Sequence, residues 1–217
     1  MMTKTKKEPS SPPSSQTKPG LALSPAFTLD PVAHKYLVGG IEWPSPTGLL
    51  REFGLTNDSY FKPIHAERGR AVHLATQLWD EGDLDESSLD ADVKAKLEGW
   101  KKFRQDTGFK PDMELREKPI VDRLYLFGVT PDAPWMIGRE SVLVELKSGQ
   151  VDKKSAQIQM AAQQLALQSE TGSFFASMRI VQLLPGDYKI YPIPPESMQT
   201  NHDNFLAMVK VHWLKRQ

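Results

Sequence analysis

The chain has 217 residues, 39% of them hydrophobic and 25% charged, with 27 basic and 27 acidic side chains. That suits one medium domain with a real core, and the lack of any cysteine excludes disulfides, thiolate zinc sites and cysteine-ligated iron–sulfur clusters. Zero net charge removes the bulk-charge argument for a nucleic-acid partner without excluding one, because acids gathered at a metal site offset a basic groove elsewhere.

Residues 1–25 are rich in Pro, Ser, Thr and Lys and poor in apolar side chains. Such a segment cannot bury enough surface to offset its ordering entropy, so a disordered tail is expected before a single domain at 26–217. No apolar segment follows the N-terminal lysines as a secretory signal requires, and no run approaches the ~18 apolar residues that cross a bilayer. A cytoplasmic protein without a membrane partner is the expectation.

Phe27–Asp30 and Lys35–Val38 read as strands, Gly39-Gly40 as a two-residue turn, and Ile41–Trp43 as the return. Ser45-Pro46-Thr47 offers a helix start. A helix is predicted over Ala66–Glu81, with Val72, Ala75 and Trp79 on one stripe. A second runs from about Leu89 to Thr107-Gly108, with Leu89, Val93, Leu97, Trp100 and Phe103 inward. Strands are then predicted at Met113–Val121, Leu124–Val129 and Ser141–Leu146, a helix at Lys153–Glu170, and strands at Met178–Leu184 and Tyr188–Ile193. A last helix covers Ser197–Leu214. The order predicts an α/β fold with a mixed central sheet flanked by helices, behind an N-terminal hairpin.

Four acid-x-Lys triplets occur: Asp92-Val93-Lys94, Glu145-Leu146-Lys147, Asp152-Lys153-Lys154 and Asp187-Tyr188-Lys189. Only the second combines a buried-looking strand with a Pro-Asp shortly upstream, Pro131-Asp132. Side chains alternate along a strand, so Glu145 and Lys147 share a face and Leu146 points to the other. A paired neighbouring strand would bring Asp132 beside Glu145. Two carboxylates that close need a cation between them. Mg²⁺ takes hard oxygen ligands and keeps waters, one of which becomes a nucleophile for a phosphodiester. A lysine alongside can orient that water and stabilise developing charge. The bland alternative is a same-face ion pair on a sheet.

Pro131-Asp132 followed by Glu145-Leu146-Lys147 resembles the PD-(D/E)XK pattern, and the element order resembles the restriction-endonuclease-like αβββαβ core of that nuclease superfamily. More narrowly the chain resembles its RecB-like exonuclease branch, in short stand-alone members of the kind phages carry. Gly69-Arg70-Ala71-Val72-His73 is similar to that branch's Gly-x-x-Val-His motif, Glu117 to an acid before the Asp, and Gln159 to its Gln motif. HKYLVGGIEWPSPTGLL resembles the N-terminal segment of these phage proteins. The spacing departs in one place: Gly128 to Asp132 is one step longer than the branch's Gly-Thr-x-Asp. Its Tyr four residues after the Gln is Gln163 here.

The resemblance implies a Mg²⁺- or Mn²⁺-dependent deoxyribonuclease with no iron–sulfur cluster, working on DNA in recombination, repair or phage DNA processing, with recombination or replication proteins as possible partners. It implies Asp132, Glu145, the Leu146 backbone carbonyl and His73 as metal ligands. Lys147 and Gln159 complete the catalytic set. Glu117, Gln163, Arg68 and Arg70 are additional candidates; the two arginines flank the start of the His73 helix, where exposed basic residues are also common. Trp135, three residues past Asp132, reads as a loop residue that either packs or stacks on a base. Rival expectations are a structure-specific endonuclease or nickase with the same site, and a catalytically inactive DNA-binding module of a recombination complex.

Overall fold

The structure, a computed structural model, describes residues 26–30, 33, 35–56 and 63–217; the tail expected at 1–25 lies outside them. β1 (Phe27–Asp30), β2 (Lys35–Val38) and β3 (Ile41–Trp43) form a small antiparallel sheet in that order. Gly39 and Gly40 turn β2 into β3 at φ 57° and 81°, the left-handed backbone that such a tight turn needs. The Ser45 side chain accepts a bond from the Gly48 N–H and caps α1 (Pro46–Glu52), with a proline in the first turn.

α2 (Pro63–Glu81) begins at Pro63 rather than Ala66, and Val72 and Ala75 are buried on its inner stripe. α3 (Ala91–Thr107) is capped by Asp90 and ends at Gly108 in the left-handed conformation, with Val93, Leu97, Trp100 and Phe103 buried. These helices form where their apolar periods lie.

The stretch between α3 and Asp132 departs from expectation. In place of a strand over Met113–Val121 there is a two-residue strand, β4 (Lys110–Pro111), then a run of turns over 113–117. Asp112 makes those turns: its side chain accepts from the Glu114 N–H at 2.8 Å, and its carbonyl from the Leu115 and Arg116 N–H groups. Only Ile120–Asp122 (β5) and Phe127–Val129 (β6) are extended, and they pair with each other in a separate two-stranded ladder. Asp122 shortens both, because its Oδ1 accepts from the Leu124 and Tyr125 N–H groups at 2.9 and 2.8 Å and bends the chain.

A strand stands where a loop was expected: β7 (Ala133–Ile137) pairs antiparallel with β8 (Glu140–Lys147). Pro134 conceals it, since proline within an apolar run argues against a central strand. Trp135 is therefore a strand residue, half-buried and packed on the core rather than carried on a loop. α4 (Lys153–Thr171) crosses over to β9 (Ser177–Leu184), parallel to β8, and β9 turns back into β10 (Asp187–Pro192). α5 (Met198–Leu214) closes the chain.

The five-stranded sheet runs β10-β9-β8-β7-β4. Taken as α3, β4, β7, β8, α4 and β9, the order is αβββαβ, a mixed α/β fold with a mixed central sheet. Alternation along β8 feeds two cores. Val142, Val144 and Leu146 pack with α2 and α3, while Leu143 packs with α4 and α5. Glu145 and Lys147 therefore share the α4 face with Leu143. No helix among the described residues is long and apolar enough to cross a membrane.

Tyr36 ties the N-terminal sheet to β6. Its hydroxyl lies 2.7 Å from Thr130 Oγ1, and its ring lies so close to Gly128 that a Cβ there would sit 2.1 Å from Tyr36 Cγ. Gly128→Ala is expected to cost about 1–3 kcal/mol by overpacking, read as the midpoint of denaturant unfolding. Gly149→Ala, where a Cβ meets nothing within 4 Å, serves as control. Equal midpoints for the two variants would contradict the close approach.

Candidate metal centre

The β7–β8 register pairs Ala133 with Val144 and Pro134 with Leu143. One further step sets Asp132 opposite Glu145, and opposed residues of an antiparallel pair point to the same face. The ladder gives way there to a side chain: the Leu146 N–H donates to Asp132 Oδ2 at 2.7 Å. Both acids are nearly inaccessible, Asp132 at 7% and Glu145 at 4% exposure. The longer step from Gly128 to Asp132 spans the passage from the β5–β6 ladder to the central sheet.

α2 supplies His73 from the side. Its Nδ1 lies 3.1 Å from Glu117 Oε1 and 3.5 Å from Asp132 Oδ1. One ligand atom from each of the three residues lies within 4.8 Å of the others. Glu117 is not in a strand, as the sequence suggested. It ends the run of turns at φ 50°, a conformation unfavourable for a residue with a Cβ. Its N–H donates to the Pro131 carbonyl at 2.9 Å, which fixes the turn against the segment leading to Asp132.

The other side of the site belongs to α4. Glu145 Oε1 pairs with Lys147 Nζ at 2.5 Å, and its Oε2 accepts from Gln163 Nε2 at 2.6 Å. Lys147 also donates to Gln159 Oε1 at 2.9 Å, and Gln159 Nε2 donates to Thr47 Oγ1 at 3.1 Å. A continuous line of polar contacts thus runs Gln163, Glu145, Lys147, Gln159, Thr47. Gln163, an additional candidate from the sequence, is buried against Glu145. Thr47 was legible only as part of a helix start.

Arg68 is drawn to α3, with Nη1 3.1 Å from Asp92 Oδ2 and both side chains exposed; Arg70 is exposed as well.

Burial first, and the Glu145 charge second, push the Asp132 carboxyl above the usual range. Burial works the other way on His73, but the Asp132 charge, the Glu117 bond and the charges of Glu117 and Glu145 overcome it and raise it to about 9. Burial likewise opposes the charge on Lys147 and is outweighed by Glu145 and Asp132, so its pKa is raised and it stays an ammonium. Two carboxylates, Asp132 and Glu117, converge on the His73 imidazole; Glu145 lies outside that group, turned to Lys147 and Gln163. This donor set suits a hard divalent cation: oxygens fit Mg²⁺, and the imidazole adds a ligand congenial to Mn²⁺.

No protein-family model matches the chain, nor does any curated protein. Among solved structures the fold is similar to the crystal structure of a provisionally named exonuclease from Eubacterium rectale, at 16% identity over 77% of this chain and 71% of that one, with a TM-score of 0.45.

Raised pKa values make a pH signature. His73 in the metal-free fold titrates near 9 against an ordinary 6.5, so its contribution to stability is complete below about 6.5 and is lost as pH rises through 9. Asp132, shifted upward as well, also loses stability on deprotonation. The melting temperature of the protein in EDTA is expected to fall between pH 6.5 and 9, and to fall less in His73→Gln. A flat profile, or equal slopes in the two proteins, would contradict this charge arrangement.

Proposed function

We propose that the chain is a divalent-metal-dependent nuclease that hydrolyses phosphodiester bonds in DNA, working as an exonuclease in DNA recombination, repair or phage DNA processing. The observation that carries the reading is the opposition of Asp132 and Glu145 at the end of β7–β8, with His73 and Glu117 on one flank and Lys147 on the other. Exonuclease in preference to endonuclease rests on the resemblance to the RecB-like branch.

Asp132, Glu145 and His73 would hold Mg²⁺ or Mn²⁺, with the Leu146 carbonyl and Glu117 as further ligands. When bound, that cation supplies an acidified water and polarises a phosphoryl oxygen. The protein's own groups do the rest. Asp132 is held in place by the Leu146 N–H. Gln163 orients Glu145 from below. Lys147 keeps its proton, so it serves as a hydrogen-bond donor to the water or the phosphate, not as the base. Gln159 fixes the ammonium and is itself fixed by Thr47. Hydrolysis joins the water oxygen to phosphorus, breaks one P–O ester bond and releases the sugar oxygen with a proton.

End-labelled linear single- and double-stranded DNA, beside covalently closed circles, gives the test. Linear substrate is expected to be digested with Mg²⁺ or Mn²⁺ and left intact in EDTA, while circles survive. Glu145→Gln and Lys147→Ala should each lower the rate by about 10²–10³-fold or more while remaining folded by circular dichroism. Cut circles would reassign the protein as an endonuclease. A folded wild type that binds DNA and cleaves nothing with either metal would make it a binding module.

A further inference from the structure

Behind the acidic cluster lies a second, buried charge system. The Arg116 side chain is 0% exposed and Asp80 is 1% exposed. Arg116 Nη2 donates to Thr76 Oγ1 at 2.9 Å and pairs with Asp80 Oδ2 at 3.2 Å. Asp80 also accepts from Trp100 Nε1 at 3.1 Å and pairs with Arg104. The Arg116 guanidinium lies 4.9 Å from the Trp100 ring centroid. Its Nε and Nη1 have no hydrogen-bond partner. Burial lowers its pKa to about 10, which still leaves it charged at neutral pH.

Holding an arginine under a protein surface with donors unmet is costly, and an apolar side chain of similar volume often serves stability as well or better. Its placement suggests another use. Arg116 directly precedes Glu117 in the turn that carries that carboxylate. Thr76, which it grips, donates its hydroxyl proton to the His73 carbonyl at 2.8 Å. One side chain thus holds both the turn bearing Glu117 and the helical turn bearing His73.

We propose that Arg116 is a positioning residue: by clamping the 112–117 turn onto α2 through Thr76 and Asp80, it sets the spacing of His73 and Glu117 and hence the fit of the site for its cation. This rests on the metal site proposed above. Two effects of Arg116 oppose each other and can be told apart. Its charge, felt by Glu117 and Asp132, repels a divalent cation, so loss of charge alone tightens binding. Loss of the clamp spreads the ligands and weakens binding, by about 10–100-fold for groups that orient metal ligands.

The experiment is a calorimetric Mn²⁺ titration of the full chain, with Asp132→Asn as the variant that reports on this site. Thr76→Val keeps shape and charge but removes the hydroxyl bridge; its dissociation constant is expected to rise about 10-fold, and Thr76→Ser to stay near wild type. Arg116→Lys, which keeps the charge without the planar fork, and Arg116→Met should both weaken binding. Tighter binding by Arg116→Met, or unchanged binding by folded Thr76→Val, overturns the clamp while leaving the metal site standing. Should Arg116→Met fail to fold, the Thr76 pair decides. A wild type that takes up no Mn²⁺ overturns the metal site and the clamp together.

Discussion

The opposition of two buried carboxylates across the end of the β7–β8 ladder is the constraint on which the rest of the site depends. Extending the β7–β8 register one step past Ala133 and Val144 puts Asp132 across from Glu145, and the Leu146 N–H holds the first of them there. Neither acid can escape to solvent, so charge compensation must come from side chains or ions around them. On one flank it comes from His73, on the other from Lys147. The two flanks differ in kind. His73 and Glu117 offer ligand atoms, whereas Lys147, Gln159 and Gln163 offer hydrogen-bond donors and fix orientation. The site is thus asymmetric, with ligand atoms gathered on one side and hydrogen-bond donors on the other.

Helix α1 joins the donor side to the N-terminal part of the chain. Thr47 reaches Gln159 from its first turn, and the sheet before it is anchored by Tyr36 on Gly128 and Thr130. Thr130 lies two residues before Asp132. Packing in this small sheet is thus connected to both sides of the site, and the close approach at Gly128 links fold stability to site geometry.

Much of this was legible in the sequence because periodicity and spacing carried it. The buried stripes of α2 and α3, the helix start at Ser45 and the β8–α4–β9 crossover all follow local rules, whereas the Asp90 cap that starts α3 went unread. The same-face placement of Glu145 and Lys147 follows from strand alternation, and the contact of Gln159 with Lys147 accords with its position on the next helix. Other features were hidden for definite reasons. Pro134 masked β7, so Trp135 read as a loop residue. Side-chain bonds from Asp112 and Asp122 broke two apparent strands into turns and a short hairpin, and Glu117 lies in a left-handed turn in consequence. Long-range polar partners leave no mark in a local pattern: Gln163 on Glu145, Thr47 on Gln159, and Arg116 on Thr76 and Asp80 are visible only once the helices are packed.

The most direct measurement is a crystal structure of the protein soaked in Mn²⁺, read as an anomalous difference map. The account predicts a peak bounded by Asp132, Glu145 and His73, with ligand oxygens at about 2.1 Å, and Lys147 turned from Glu145 toward open solvent. A map with no peak at saturating Mn²⁺, or one with the ion held elsewhere and the Glu145–Lys147 pair intact, would contradict it and leave a salt-bridged strand in place of a metal centre.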